Sequence, residues 1–213
     1  VKNDIHWARQ STWWLDGSEN HDLNAKASNL VTSRIFMNEP DYKDRIYPDY
    51  GFGGSYHYGH AGYYGPGVDR VSRHGGGRAN LADGKQYNAR DHYEAWLAFM
   101  KTYFRERARR GFFLEYGSHS YSKHTLNPVD LAYQYGGDEE LHRLIDDFLT
   151  LYWAEWAQVS ISGVRGGPKT RHHKSVVEGD GTSDLISFHL GGPANAATWG
   201  YWNLINDYRL PPV

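Results

Sequence analysis

From Ala89 to Arg110 the chain reads ARDHYEAWLAFMKTYFRERARR, and this stretch decides the fold class. Tyr93, Trp96, Leu97, Met100, Tyr103 and Phe104 recur at the three- and four-residue spacings that line one face of a helix. Arg105, Arg107, Arg109 and Arg110 crowd its last turn, where cations meet the negative end of the helix dipole. Gly111 is the expected stop.

The same pattern recurs on both sides. Leu23, Ala27, Leu30, Val31 and Ile35 predict a helix over roughly 20–37, with Ser18 as N-cap, Glu19 in the electropositive first turn and Pro40 ending it. Asn127-Pro128 reads as a cap and first-turn proline opening a short helix over 127–135, closed by Gly136-Gly137. Asp138 caps a long helix to about Val159, faced by Leu141, Leu144, Ile145, Phe148, Tyr152 and Trp156. A last helix is expected over 194–207, before Pro211-Pro212. Strand alternation is confined to 159–164.

The expected fold is therefore all-α, with antiparallel helical hairpins. Long Gly/Tyr-rich loops over 40–88 and 162–193 are expected to gather at one end. Hairpins that close into a ring form an (α/α) toroid. The 213 residues supply about half of one, so residues 1–213 read as a single helical domain that is a portion of a larger toroid.

Composition narrows the function classes. With 23 Lys+Arg against 25 Asp+Glu, the chain lacks the basic excess of a nucleic-acid binder. No apolar run reaches the ~18–20 residues of a membrane span. Cys is absent, which removes disulfides, thiolate metal sites and cysteine nucleophiles. The 8 Trp and 17 Tyr, with apolar faces and polar tips, suit either a Tyr-rich core or sugar rings.

Three polar clusters stand out. Asp16-Gly17-Ser18-Glu19-Asn20-His21-Asp22, behind Trp13-Trp14, sets a carboxylate, an amide and an imidazole at a helix mouth. Glu115-Tyr116-Gly117-Ser118-His119-Ser120-Tyr121 brings a carboxylate and a phenol into one connection, a pairing suited to acid–base work. The Gly-rich 163–173 loop carries Arg165, Lys169, Arg171, His172 and His173 and suits an acidic group. His57 with His60, and His172 with His173, give only a weak metal signal, so neither metal nor cofactor is expected.

These runs, in this order, resemble secreted α/α-toroid polysaccharide-degrading proteins of the alginate lyase and heparinase II/III-like type. The resemblance implies an extracellular or periplasmic enzyme on an acidic, uronate-containing polysaccharide, without nucleic-acid or membrane partners. By resemblance, His21 and Tyr121 act as base and acid, Asn20 and Arg171 hold the uronate carboxylate, and Glu115 supports them. Glu19, Trp14, His119, His172 and Tyr58 would contact substrate. The chain lacks the Asn-Asn-His form of the alginate lyases and carries the extra acids Glu19 and Glu115. A glycoside hydrolase using that carboxylate pair, and a non-catalytic carbohydrate-binding fragment, stand beside the lyase as alternatives.

Overall fold

Four amphipathic segments form helices, and their apolar faces decide how they pair. The computed structural model describes residues 18–46, 88–118, 121–161, 164–166, 188–191 and 206–212. Within them lie α1 (Glu19–Asn38), α2 (Ala89–Arg110), α3 (Ser122–Tyr135) and α4 (Glu139–Gln158). Two-residue strands β1 (Ser160–Ile161) and β2 (Val164–Arg165) pair antiparallel, Ser160 opposite Arg165. The described chain is all-α apart from this one ladder.

Local chemistry sets the helix ends. Asn88 begins α2 with a capping box: its side chain accepts from the Asp91 N–H, and Asp91 accepts from the Asn88 N–H. Gly111 ends α2 in the left-handed region at φ 99°. Phe112 follows at φ 62°, an unusual conformation for a side chain with a Cβ. Its ring is held against Phe148, Tyr152 and Tyr116 at centroid distances of 5.3, 5.7 and 5.8 Å, and this packing offsets the backbone cost. Asp138 caps α4 by accepting from the Leu141 N–H at 2.8 Å.

Two expectations for helix ends change. α3 starts at Ser122, not at Asn127, and Pro128 lies inside it. Proline has no N–H for the carbonyl of His124 four residues earlier, so the first turns need other support. That support comes from Ser122, whose N–H bonds the Ser118 carbonyl at 3.0 Å, and from Thr125, whose N–H bonds the Tyr121 carbonyl at 3.1 Å. The expected 194–207 helix falls mostly outside the described residues, and Asn206 and Asp207, its last two positions, are not helical.

Residue pairs fix the directions. Glu19 meets Arg107, and Lys26 lies over the rings of Phe99 and Tyr103, so α1 and α2 run antiparallel. Tyr133 stacks on His142 at 4.0 Å, so α3 and α4 turn back on each other through Gly136-Gly137. Arg34 donates to the Tyr135 carbonyl at 2.9 Å, which sets α1 parallel to α3. Lys101 binds Asp138 and Glu140, while Phe104 and Phe112 meet Phe148 further along, so α2 runs parallel to α4. Two antiparallel hairpins thus lie side by side, in register and in the same sense.

The core runs between them as an aromatic column. Tyr103, Phe104, Phe112, Phe113, Tyr116, Phe148, Tyr152, Trp153 and Trp156 are all buried. Most of the Trp and Tyr side chains among the described residues therefore fill the interior. Most of the two long segments expected to gather at one end, 47–87 and 167–187, lies outside the described residues.

Candidate functional site

The end of the bundle where α1 and α3 begin, and where α2 and α4 finish, holds Glu19, Asn20, His21, Glu115 and Tyr121 of the polar groups singled out in the sequence. Its foundation is Glu19. The residue is only 1 % exposed, and its carboxylate accepts from Arg107 Nη1 at 2.6 Å, the Leu114 N–H at 3.1 Å and the Glu115 N–H at 3.0 Å. Burial pushes the Glu19 carboxyl above its ordinary range, against the pull of Arg107 and the two N–H groups. Arg107 is itself fully buried, lies over the Tyr103 ring at 4.9 Å, and donates to the Phe112 carbonyl at 3.3 Å. It is therefore a structural partner of Glu19, beyond the dipole role its place in the last turn suggests.

One turn deeper, Asp22 and Lys26 form a second buried ion pair. Two acids and two bases thus lie between α1 and α2 with no net charge, and each charge has a partner, as burial demands. This double clamp fixes the start of α1 against the 112–118 turn. It also engages both Glu19 oxygens with Arg107 and the turn.

Above the clamp lie Asn20, His21, Glu115 and Tyr121. Asn20 is buried, and its side-chain oxygen accepts from Ser18 Oγ at 2.5 Å. Ser18 therefore steadies Asn20, and makes no side-chain bond to a backbone N–H as an N-cap would. His21 is exposed, and Glu115 is half-buried on the turn whose N–H groups hold Glu19. Tyr121 immediately precedes α3, with its N–H bonded to Ser118 Oγ at 3.1 Å. Ser118 is wholly buried, and its carbonyl also accepts from the hydroxyl of Ser122, so the backbone at Tyr121 is tightly held.

His124 completes the group and was not singled out in the sequence. It lies in the first turn of α3, three residues beyond Tyr121, with ring centroids 5.8 Å apart. Burial pushes the His124 imidazole below its usual range, and the positive charges of Lys123 and His21 push it the same way. That His21 acts on His124, while Tyr121 packs beside it, places His21 and Tyr121 at one end of the bundle. The signal for His124 was the Tyr121–His124 spacing, hidden by starting α3 at Asn127.

Trp14, Tyr58, His119, Arg171 and His172 lie outside the described residues. Among the described residues no group of three or more His, Asp or Glu side chains is placed to hold a metal ion, and no helix is long and apolar enough to cross a membrane.

No protein family, characterised protein or solved structure compared with this chain matches it. The functional reading therefore stands on the residues themselves.

Proposed function

We propose that the chain is a portion of an (α/α) toroid that degrades an acidic polysaccharide by β-elimination at uronate residues. The carrying observation is the convergence of His21, His124, Tyr121, Asn20 and Glu115 on one end of two side-by-side hairpins. Parallel repetition of antiparallel hairpins is also the unit from which a toroid is built.

Elimination needs a base at the proton beside the carboxylate, an acid at the leaving oxygen, and groups that disperse charge on the carboxylate. Imidazoles, a phenol and an amide are the chemistry gathered here. Arg171 adds a guanidinium suited to a bidentate grip on the carboxylate, in the segment that follows β2. The hydrolase arrangement, with Glu19 and Glu115 flanking the bond, is weakened because both Glu19 oxygens are engaged with Arg107 and backbone N–H groups. The place of work on this reading is extracellular or periplasmic, where such polymers occur.

The test is incubation of the full-length protein with a polysaccharide panel, followed at the ultraviolet band of unsaturated uronates and by reducing-end assay. Elimination raises both signals. Reducing ends without the ultraviolet band would replace elimination with hydrolysis, and neither signal, with retained binding, would reduce the chain to a binding module.

A further inference from the structure

Residues 206–210 lie as a strap on α3 and α4. Asn206 and Tyr208 are buried and Leu210 half-buried, while Asp207 and Arg209 between them are exposed, the alternation of an extended chain. The Tyr208 ring meets that of Tyr133 on α3 edge-on at 5.9 Å, and its hydroxyl pairs with Thr150 of α4 at 3.3 Å. Gln134 of α3 holds Asp207 twice, donating to its carboxylate at 3.2 Å and accepting from its N–H at 3.1 Å. The hold is imperfect, because the side-chain nitrogen of buried Asn206 has no hydrogen-bond partner among the described residues, and an unmet donor costs free energy on burial.

α3 also sets an acid on the covered face. Asp130 precedes Tyr133 and Gln134 by three and four residues, so it shares their side of the helix. It is half-buried and has no hydrogen bond or ion pair among the described residues. Its charge acts on the Tyr208 hydroxyl, beside that of Asp146, which accepts from the Tyr133 hydroxyl at 3.3 Å. We propose that residues 206–210 form a pH-sensitive strap, closed over α3 and α4 while Asp130 is protonated and released as Asp130 ionises.

Burial raises the Asp130 carboxyl from 3.8 to about 7, and release returns it to water. The protonated acid therefore favours the closed strap: its contribution is complete below about pH 3.8 and is lost as pH rises through about 7. In that interval the ratio of open to closed strap grows by up to about tenfold per pH unit, and above it the ratio levels. The charged and titratable groups around Asp130 and the strap are Tyr133 from α3, His142 and Asp146 from α4, His189 from 188–191, and Asp207, Tyr208 and Arg209 from the strap itself. α1, also packed on α3, brings Arg34 to the Tyr135 carbonyl at one end and His21 towards His124 at the other. An ionised Asp130 thus joins the carboxylates of Asp146 and Asp207, and the imidazoles of His142 and His189 are the rival carriers of a pH response.

Hydrogen exchange of the full-length protein reads the strap directly, as protection of the Asp207 and Tyr208 amides after division by the chemical exchange rate at each pH. Protection should fall by at least about 10-fold between about pH 5 and about pH 7, level above that, and stay below that of the α4 amides throughout. Asp130→Asn, and independently Asp130→Ala, should flatten the profile. Gln134→Ala should lower protection at every pH with the slope kept, and His142→Gln and His189→Gln should keep the slope. A flat wild-type profile, a slope that survives both Asp130 variants, or a slope lost with either histidine would overturn the proposal. Protection equal to that of α4 would do so too, because the segment would then open only with the whole fold.

Discussion

Replacing Glu19 with Ala tests the clamp beneath the site. The change takes the carboxylate away from the Arg107 guanidinium, which is 0 % exposed and also donates to the Phe112 carbonyl at 3.3 Å. Removing one partner of a buried ion pair costs about 3–5 kcal/mol, because the remaining charge stays in a low-dielectric interior. The two freed N–H groups belong to Leu114, which is 60 % exposed, and to half-buried Glu115. These neutral groups add less than the stranded charge, and the total stays near about 4 kcal/mol. At roughly 2–4 °C per kcal/mol for a chain of this size, the melting temperature should fall by about 8–16 °C. Urea and thermal unfolding followed by circular dichroism measure it. The double variant Glu19→Gln with Arg107→Met, which leaves no buried charge, should recover more than half of the loss. A cost below about 1 kcal/mol for Glu19→Ala, or no recovery in the double variant, would refute the reasoning.

Other outcomes follow from single residues. Tyr103 is wholly buried, and its hydroxyl has no hydrogen-bond partner among the described residues, so Tyr103→Phe should leave the urea midpoint unchanged or raised. Gly137 sits at φ 74°, and a Cβ there would meet Arg34 Nε at 2.0 Å, so Gly137→Ala should destabilise by more than about 1 kcal/mol in the same assay. Burial pushes the Asp130 carboxyl from 3.8 up to about 7, so its stability contribution is complete below about pH 3.8 and is lost as pH rises through 7. Asp130→Asn should therefore gain on the wild type as unfolding is measured from about pH 5 to about pH 8, and a constant difference would contradict it. Tyr121→Phe should remove most turnover on a uronate polymer while leaving binding nearly intact, as titration calorimetry beside the ultraviolet assay would show.

The helices were legible wherever periodicity and punctuation agreed. α2 begins and ends where the apolar stripe and Gly111 place it, and α4 begins where Asp138 does. α3 was misread because Pro128 looks the same at a first turn as in an interior whose lost bond is covered by Ser118, Ser122 and Tyr121. Those covering contacts depend on tertiary packing, which no local pattern announces. The site was legible as clusters but not as roles. Glu19 and Asn20 are neighbours in sequence, yet Glu19 turns inward because Arg107 lies 88 residues away, a pairing no spacing rule reveals. Composition left the aromatics open between a core and sugar platforms, and among the described residues most Trp and Tyr side chains are buried, with Phe148 and Tyr152 joining the hairpins.

The long reach of that pairing has a kinetic consequence. α3 and α4 join through pairs as near as Tyr133 and Asp146, 13 residues apart, whereas α1 is tied down by bonds spanning 88 to 101 residues. Closing a long loop costs entropy before its contacts repay it, so local pairings form first. The α3–α4 hairpin should assemble early, with α1 docking late. Hydrogen exchange should then find α1 amides opening at lower free energy than those of α4. Substitutions at Lys26 or Leu30 should speed unfolding with little effect on the folding rate, while Phe148→Leu should slow folding.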